Sequence, residues 1–243
     1  MAREIKFNNR FFEAEIRKNL NRSEGPVFDE DLKAIPAILY EWDPWGDDTE
    51  LLYELSGLKE LVVETNSIPL FLKNMPNLED LDVTFWGSRE FDFKWVNYLK
   101  KLKSLCISGG DYSSINLINE KAILNLHELK DIVLHEFGSV DLEFLKDMKQ
   151  LTSFYCGYAN DVLNVDSIGH LQNLKELTLI DIPVNNLEFL NVFDDNLEVE
   201  LCALWLPEGF NESKLDKLKR FKYCDVCELK IGKKQIPFAI DKK

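Results

Sequence analysis

The chain has 243 residues, a formal net charge of −14 and 45% apolar residues. That is ample apolar matter for one continuous core, and the negative balance excludes nucleic acid and anionic membrane as default partners. No apolar run approaches the roughly 18 residues of a spanning helix, and the opening Met1 to Phe7 lacks the apolar region of a secretory signal, so the sequence predicts a cytoplasmic protein unless a leader has been removed.

Residues 1–34 read first as a helical cap. Phe12, Ile16 and Leu20 share one helix face behind Asn8-Asn9, and Phe28 to Leu32 suggests a second short helix between Pro26 and Pro36. A hexapeptide of three apolar positions, Leu-x-x-Leu-x-Leu, then recurs. It stands at Leu58/Leu61/Val63, Leu78/Leu81/Val83, Leu102/Leu105/Ile107, Leu129/Ile132/Leu134, Leu151/Phe154/Cys156 and Leu174/Leu177/Leu179. Weaker copies flank these at Ile35/Ile38/Tyr40 and Leu218/Phe221/Tyr223, with a blurred one near Leu197 to Leu201. Steps of about 20 to 27 residues fall in the leucine-rich-repeat window.

A short strand in each copy can bury every second side chain, but one such strand cannot bury its apolar face alone. Stacking successive copies makes a parallel sheet over a shared core. The linking segments carry helical spacing, as in Trp95, Leu99 and Leu102 or Ile118, Ala122 and Leu126, so the convex wall is expected to be short helices. The fold class is therefore α/β, a curved right-handed leucine-rich-repeat solenoid of eight to nine repeats over 35–223. A C-terminal cap over 224–243 completes one unit, with a hairpin expected from Leu229 to Ile240 around Gly232.

Function is expected on the concave strand face, where residues between the buried positions meet solvent. The candidates there are Glu41, Glu60, Val62, Glu64, Asp80, Asp82, Asp131, Val133, His135 and Tyr155, with Arg220 and Lys222 placed on the same face of the last repeat. Acids concentrate in the N-terminal half of this face. Mixed with apolar side chains, they suit a protein or peptide with a basic surface. Aromatics crowd the turns that leave the strands: Trp42 and Trp45 join the contact candidates, Tyr158 and Trp205 stand nearby, and Trp86 and Phe137 are expected to turn inward. Asp47, Asp48 and Glu50 are expected to hold the Trp42 to Gly46 turn near solvent, and the third-repeat extension, Asp111 to Glu120, is a candidate contact loop.

Five cysteines, Cys106, Cys156, Cys202, Cys224 and Cys227, are an odd and scattered set that suits buried, reduced thiols. Cys224-Asp-Val-Cys227 lacks the further ligands of a zinc site and the βαβ setting of a redox pair, and reads as part of a terminal strand or cap. His127, His135 and His170 lie in different repeats, and no phosphate loop or nucleophile elbow is present. No cofactor, metal or catalysis is expected, nor is an oligomer. From Lys214 onward the chain carries a net of +6, against −20 over residues 1–213, which reads as a solvated lysine-rich cap.

The pattern Phe11-Phe12-x-x-x-Ile16-Arg17-x-x-Leu20, then Phe28 to Leu32, then repeats of about 22 residues, resembles the N-terminal cap and repeats of bacterial internalin-like proteins. Asp141 to Leu151 looks like that family's connecting segment. The resemblance implies a protein-binding scaffold; an inhibitor or immunity-type protein, directed at an enzyme or toxin, is the alternative. One departure is plain. The family's turn asparagine is matched only by Asn66, its equivalents being Asp43, Trp86, Gly110, Phe137, Ala159 and Ile182, so backbone groups there need other partners.

Overall fold

A computed structural model describes residues 2–39, 48–65, 69–86, 90–110 and 115–236. Strands are numbered β1 to β16 along the chain. Nine form one sheet, in spatial order β1 (Ala37–Ile38), β2 (Glu60–Thr65), β3 (Asp80–Phe85), β5 (Ser104–Gly109), β7 (Asp131–His135), β9 (Ser153–Gly157), β11 (Glu176–Ile180), β12 (Glu198–Cys202) and β14 (Tyr223–Cys227). Every pairing is parallel and in step, with Leu61 beside Leu81, Leu81 beside Leu105 and Leu105 beside Ile132. Apolar positions stack on apolar positions because strand side chains alternate faces, and those facing inward are buried from Ile38 to Val226.

The convex wall is helical but 3₁₀ rather than α: Thr49–Glu54, Leu70–Asn74, Phe93–Tyr98, Glu120–Asn125, Leu142–Asp147, Val165–His170, Glu188–Val192 and Glu212–Arg220. Most of these segments are only five or six residues long, where the tighter three-residue turn suffices. Each plants a buried aliphatic such as Leu72, Val96, Leu145 or Ile168 in the core.

A second parallel sheet fills the space between strand and wall. It consists of β4 (Glu90–Asp92), β6 (Asn116–Ile118), β8 (Ser139–Asp141) and β10 (Asp161–Leu163). The third-repeat extension is therefore not a free contact loop over its second half, because Ile115 and Leu117 are buried and β6 is paired on both sides. Its residues 111–114 lie outside the described residues.

In place of an asparagine ladder the coils are tied on the convex side. Asp92 and Asp141 accept from the backbone N–H of Lys94 and Glu143, both at 2.9 Å. They also accept from the amides of Asn119 (3.0 Å) and Asn164 (2.8 Å), one repeat further on. Asn173 and Asn74 likewise donate to the carbonyls of Lys149 (2.7 Å) and Tyr53 (3.1 Å) in the preceding repeat.

Two turn types follow the strands. After β7, β9, β11, β12 and β14 comes a non-glycine residue in the left-handed region, Glu136, Tyr158, Asp181, Ala203 and Glu228, with φ between 49° and 61°. This twist turns the next side chain inward, and Phe137, Ala159, Ile182, Leu204 and Leu229 are all buried. After β3 the strand instead runs on to a buried Phe85, which leaves Trp86 outward. Of the two aromatics expected inside, Phe137 is there and Trp86 is not.

The N-terminal cap comprises α1 (Arg10–Asn19) and α2 (Asp29–Leu32), with Phe12, Ile16, Val27 and Leu32 buried. Asn9 caps α1, its side-chain oxygen accepting from Phe11 N (2.9 Å) and Phe12 N (3.1 Å). Asp48, expected near solvent, is only 2% exposed. Its carboxylate accepts from the backbone N–H of Asn8 (3.0 Å) and Asn9 (2.8 Å) and from the Asn8 amide (3.2 Å), binding the cap to the first repeat.

At the other end the last rung lies three residues later than Leu218/Phe221/Tyr223 suggests. Phe221, Cys224 and Val226 face inward, and Cys224 pairs with Val199 in register. Arg220 and Lys222 are consequently absent from the sheet face; Tyr223 and Asp225 stand there instead. The rung Tyr223–Cys227 also crosses from the expected repeat region into residues 224–243. Beyond it, β15 (Leu229–Ile231) and β16 (Lys234–Ile236) make an antiparallel hairpin through a left-handed Gly232, and β15 pairs with β13 (Trp205–Leu206).

Not all thiols are reduced. Cys202 and Cys227 face each other across β12 and β14 with Cα atoms 4.6 Å apart and form a disulfide, while Cys106, Cys156 and Cys224 are free. The expectation of reduced cysteines fails at this pair because the register aligns two outward sulfurs.

Candidate functional site

The outward side of the nine-stranded sheet is a field of three columns. From β2 to β14 it presents Glu60, Glu64, Asp80, Asp82, Asp131, Glu176, Glu198, Glu200 and Asp225, and no Lys or Arg among the described strand residues. The acids therefore run the length of the face instead of staying in its N-terminal half, with Glu198, Glu200 and Asp225 as the addition. Cross-strand neighbours make the excess acute. Glu60 stands beside Asp80, Glu176 beside Glu198, and Glu200 beside Asp225, an arrangement that destabilises a sheet. Lysines occur one residue before the strands, at exposed Lys59, Lys103, Lys130 and Lys175, where Glu79 holds Lys59 (3.8 Å) and Lys103.

Electrostatics mark the middle of the face. Burial raises the Asp131 carboxyl above its ordinary 3.8, and Glu176 and Asp80 push the same way against a hydrogen bond from Thr152. A raised folded-state value means that this group favours the fold below pH 3.8 and ceases to do so as pH rises and it ionises. Asp131→Asn is therefore expected to raise the melting temperature at pH 7 by a degree or two, with the gain vanishing below about pH 4. An unchanged or lowered melting temperature at pH 7 would count against the repulsion.

Beside Asp131 the face turns aromatic. Val62 and Val133 are half-buried between the acids. Ser108 Oγ lies 3.2 Å from His135 Nδ1, and the His135 ring is 5.9 Å from Tyr155 and 4.8 Å from Tyr158. Nearer the N-terminal end, Trp86 Nε1 donates to Glu64 (3.1 Å) and its ring covers Gly110, where any side chain would collide with it. Cys106, between Asp82 and Val133, has its thiol pushed up to about 12, by burial first and then by Asp82, so it is unreactive. Glu41, Trp42 and Trp45 lie outside the described residues. The sequence columns place Ser108 on this face without making it a contact candidate and leave Tyr158 open, but they miss Glu198, Glu200 and Asp225. Glu198 and Glu200 were obscured because the repeat that carries them is blurred.

The basic end of the chain is internally paired. Glu188 takes Lys214 (2.8 Å) and Lys217 (3.4 Å), Asp195 takes Arg220 (3.3 Å) and Glu212 takes Lys234 (3.2 Å). The Lys214 hydrogen bond, with that of Asn191, lowers the Glu188 carboxyl to about 2.

No helix among the described residues is long and apolar enough to cross a membrane. No protein-family model matches the sequence, and no curated protein does. Solved structures do match. An internalin, inlF, from Listeria monocytogenes aligns with TM-score 0.66 and 15% identity over 92% of this chain and 71% of that one. Internalin C2 from the same organism aligns with TM-score 0.62 and 17% identity over 92% and 94%. A plant peptide hormone receptor, RGFR1, in complex with RGF2, aligns with TM-score 0.50 and 17% identity over 74% of this chain and 34% of that one. In its fold the chain is an internalin-like leucine-rich-repeat solenoid with a helical N-terminal cap.

Proposed function

We propose that the chain is a non-catalytic scaffold that binds a protein or peptide with a basic surface on its concave sheet face. The observation that carries this reading is the outward field of nine acids without a lysine or arginine among the described strand residues, three pairs of them side by side. Such pairs cost stability in the free protein, roughly a few tenths of a kcal/mol each, and a cationic partner relieves them. The plant peptide hormone receptor of the same fold was solved in complex with RGF2, which supports a binding role. The Cys202–Cys227 disulfide favours an oxidising compartment over the cytoplasm.

The test is charge reversal at Glu60, Asp80 and Asp82 together, which occupy neighbouring strands. Binding of an amidated twelve-residue peptide of alternating serine and basic residues is expected to weaken at least tenfold in 50 mM salt. Its salt dependence should become shallower as well. Equal affinity and equal salt slope in the variant would remove this face from the interface.

A further inference from the structure

We propose that the centre of the concave face is an arginine-reading shelf, in which a guanidinium stacks on Tyr155 and His135 and is clamped by the nearby carboxylates. This rests on the binding role above and narrows the partner to one that presents an exposed arginine on its docked segment.

The shelf begins with a glycine. Gly157 follows Tyr155 on the same face, and a Cβ placed there would meet the Tyr155 ring at 2.8 Å. The phenol end of the ring therefore lies along its own strand over the bare glycine backbone. His135 on β7 widens the floor, its plane inclined only 30° to that of Tyr155, and the Ser108 contact holds it in place. Tyr158, 45% exposed and packed edge-on against His135 at 62°, stands as a wall.

Carboxylates stand at one end and on one side of this floor. Asp131 and Glu176 flank Ser153, two positions before Tyr155. Thr178, directly beside Tyr155, donates to Glu200 at 3.4 Å and so holds that carboxylate near the ring. Burial above all, then Tyr158, Cys156 and Glu200, push the Tyr155 phenol upward and keep it neutral. The cation–ring contacts of the described residues all lie elsewhere, such as Arg10 on Phe11 and Lys230 on Trp205, so none of them occupies this shelf.

Flat aromatic floor and nearby carboxylates select the planar cation. A guanidinium stacks on a ring and gives paired N–H donors to a carboxylate, whereas an ammonium is a compact, strongly hydrated point charge. Lysine can answer the acids and sit over a ring, but it cannot lay a plane on the floor or give the carboxylates a rigid fork of donors.

Two amidated twelve-residue peptides, alternating serine with arginine or with lysine, test this by calorimetric titration. The wild-type chain is expected to bind the arginine peptide about tenfold tighter. Tyr155→Phe should keep that preference and Tyr155→Ala should erase it, with circular dichroism confirming the fold of each. Gly157→Ala, which evicts the ring from its floor, should reduce it. Equal binding of the two peptides by the wild-type chain, or an undiminished preference in Tyr155→Ala, overturns the shelf. If the triple reversal at Glu60, Asp80 and Asp82 weakens both peptides while Tyr155→Ala changes nothing, the binding face stands and the shelf alone falls. A wild-type chain that binds neither peptide sinks both.

Discussion

Asp48→Ala is expected to lower the unfolding free energy by about 3 kcal/mol and to free the N-terminal cap. Asp48 is 2% exposed, and its two oxygens accept from the backbone N–H groups of Asn8 and Asn9 as well as from the Asn8 amide. Alanine removes the buried charged acceptor that exposed Asn8 and half-buried Asn9 share, and a hydrogen bond to a charged group contributes about 1.5 to 3 kcal/mol. The loss should show in urea denaturation followed by circular dichroism and as faster hydrogen exchange at the Asn8 and Asn9 amides. Exchange there that matches the wild type would refute the tether. Deleting residues 1–34 is the extreme case. It removes Phe12, Ile16, Val27 and Leu32 from the core and uncovers Ile38 and Leu52, so the product should aggregate. A soluble, cooperatively melting deletion variant would show that these residues are not a seal.

Opening the Cys202–Cys227 bridge, by reductant or by the double change Cys202→Ser and Cys227→Ser, should cost about 3 to 4 kcal/mol. The bridge closes a loop of 25 residues, and chain entropy in the unfolded state sets that scale. In a stacked array each coil leans only on its neighbours, so the damage should be local. Amide exchange should rise in β12, β14 and the β15–β16 hairpin while β2 and β3 keep their protection. Protection lost uniformly, or unaltered melting under reductant with the thiols shown to be free, would contradict this account.

Strands β2, β3, β5, β7, β9 and β11 were legible because their hexapeptides satisfy strand alternation and repeat spacing at once, whereas the second sheet of β4, β6, β8 and β10 carries no such signature. The last rung was not, because Leu218/Phe221/Tyr223 and Phe221/Cys224/Val226 offer the same apolar spacing. Only stacking of Cys224 on Val199 and Val226 on Leu201 decides between them, and that is a non-local choice. The slip hid the acid at Asp225 and put Arg220 and Lys222 on the wrong surface. The left-handed turns were equally silent. Glu136, Tyr158 and Ala203 carry none of the glycine signature such a conformation usually brings, so Trp86 and Phe137 looked equivalent. The buried role of Asp48 depends on a cap some forty residues earlier in the chain, and the disulfide on the register of β12 with β14. Neither is local to the sequence.

The change of turn type partway along the array also shapes what can settle in the groove. Strands β2, β3 and β5 have six residues, whereas β7, β9, β11, β12 and β14 have five. At roughly 3.3 Å per residue the trough loses one step of width midway. A guest lying along it finds a wider floor over β2, β3 and β5 than over the strands that follow, so head and tail are not interchangeable.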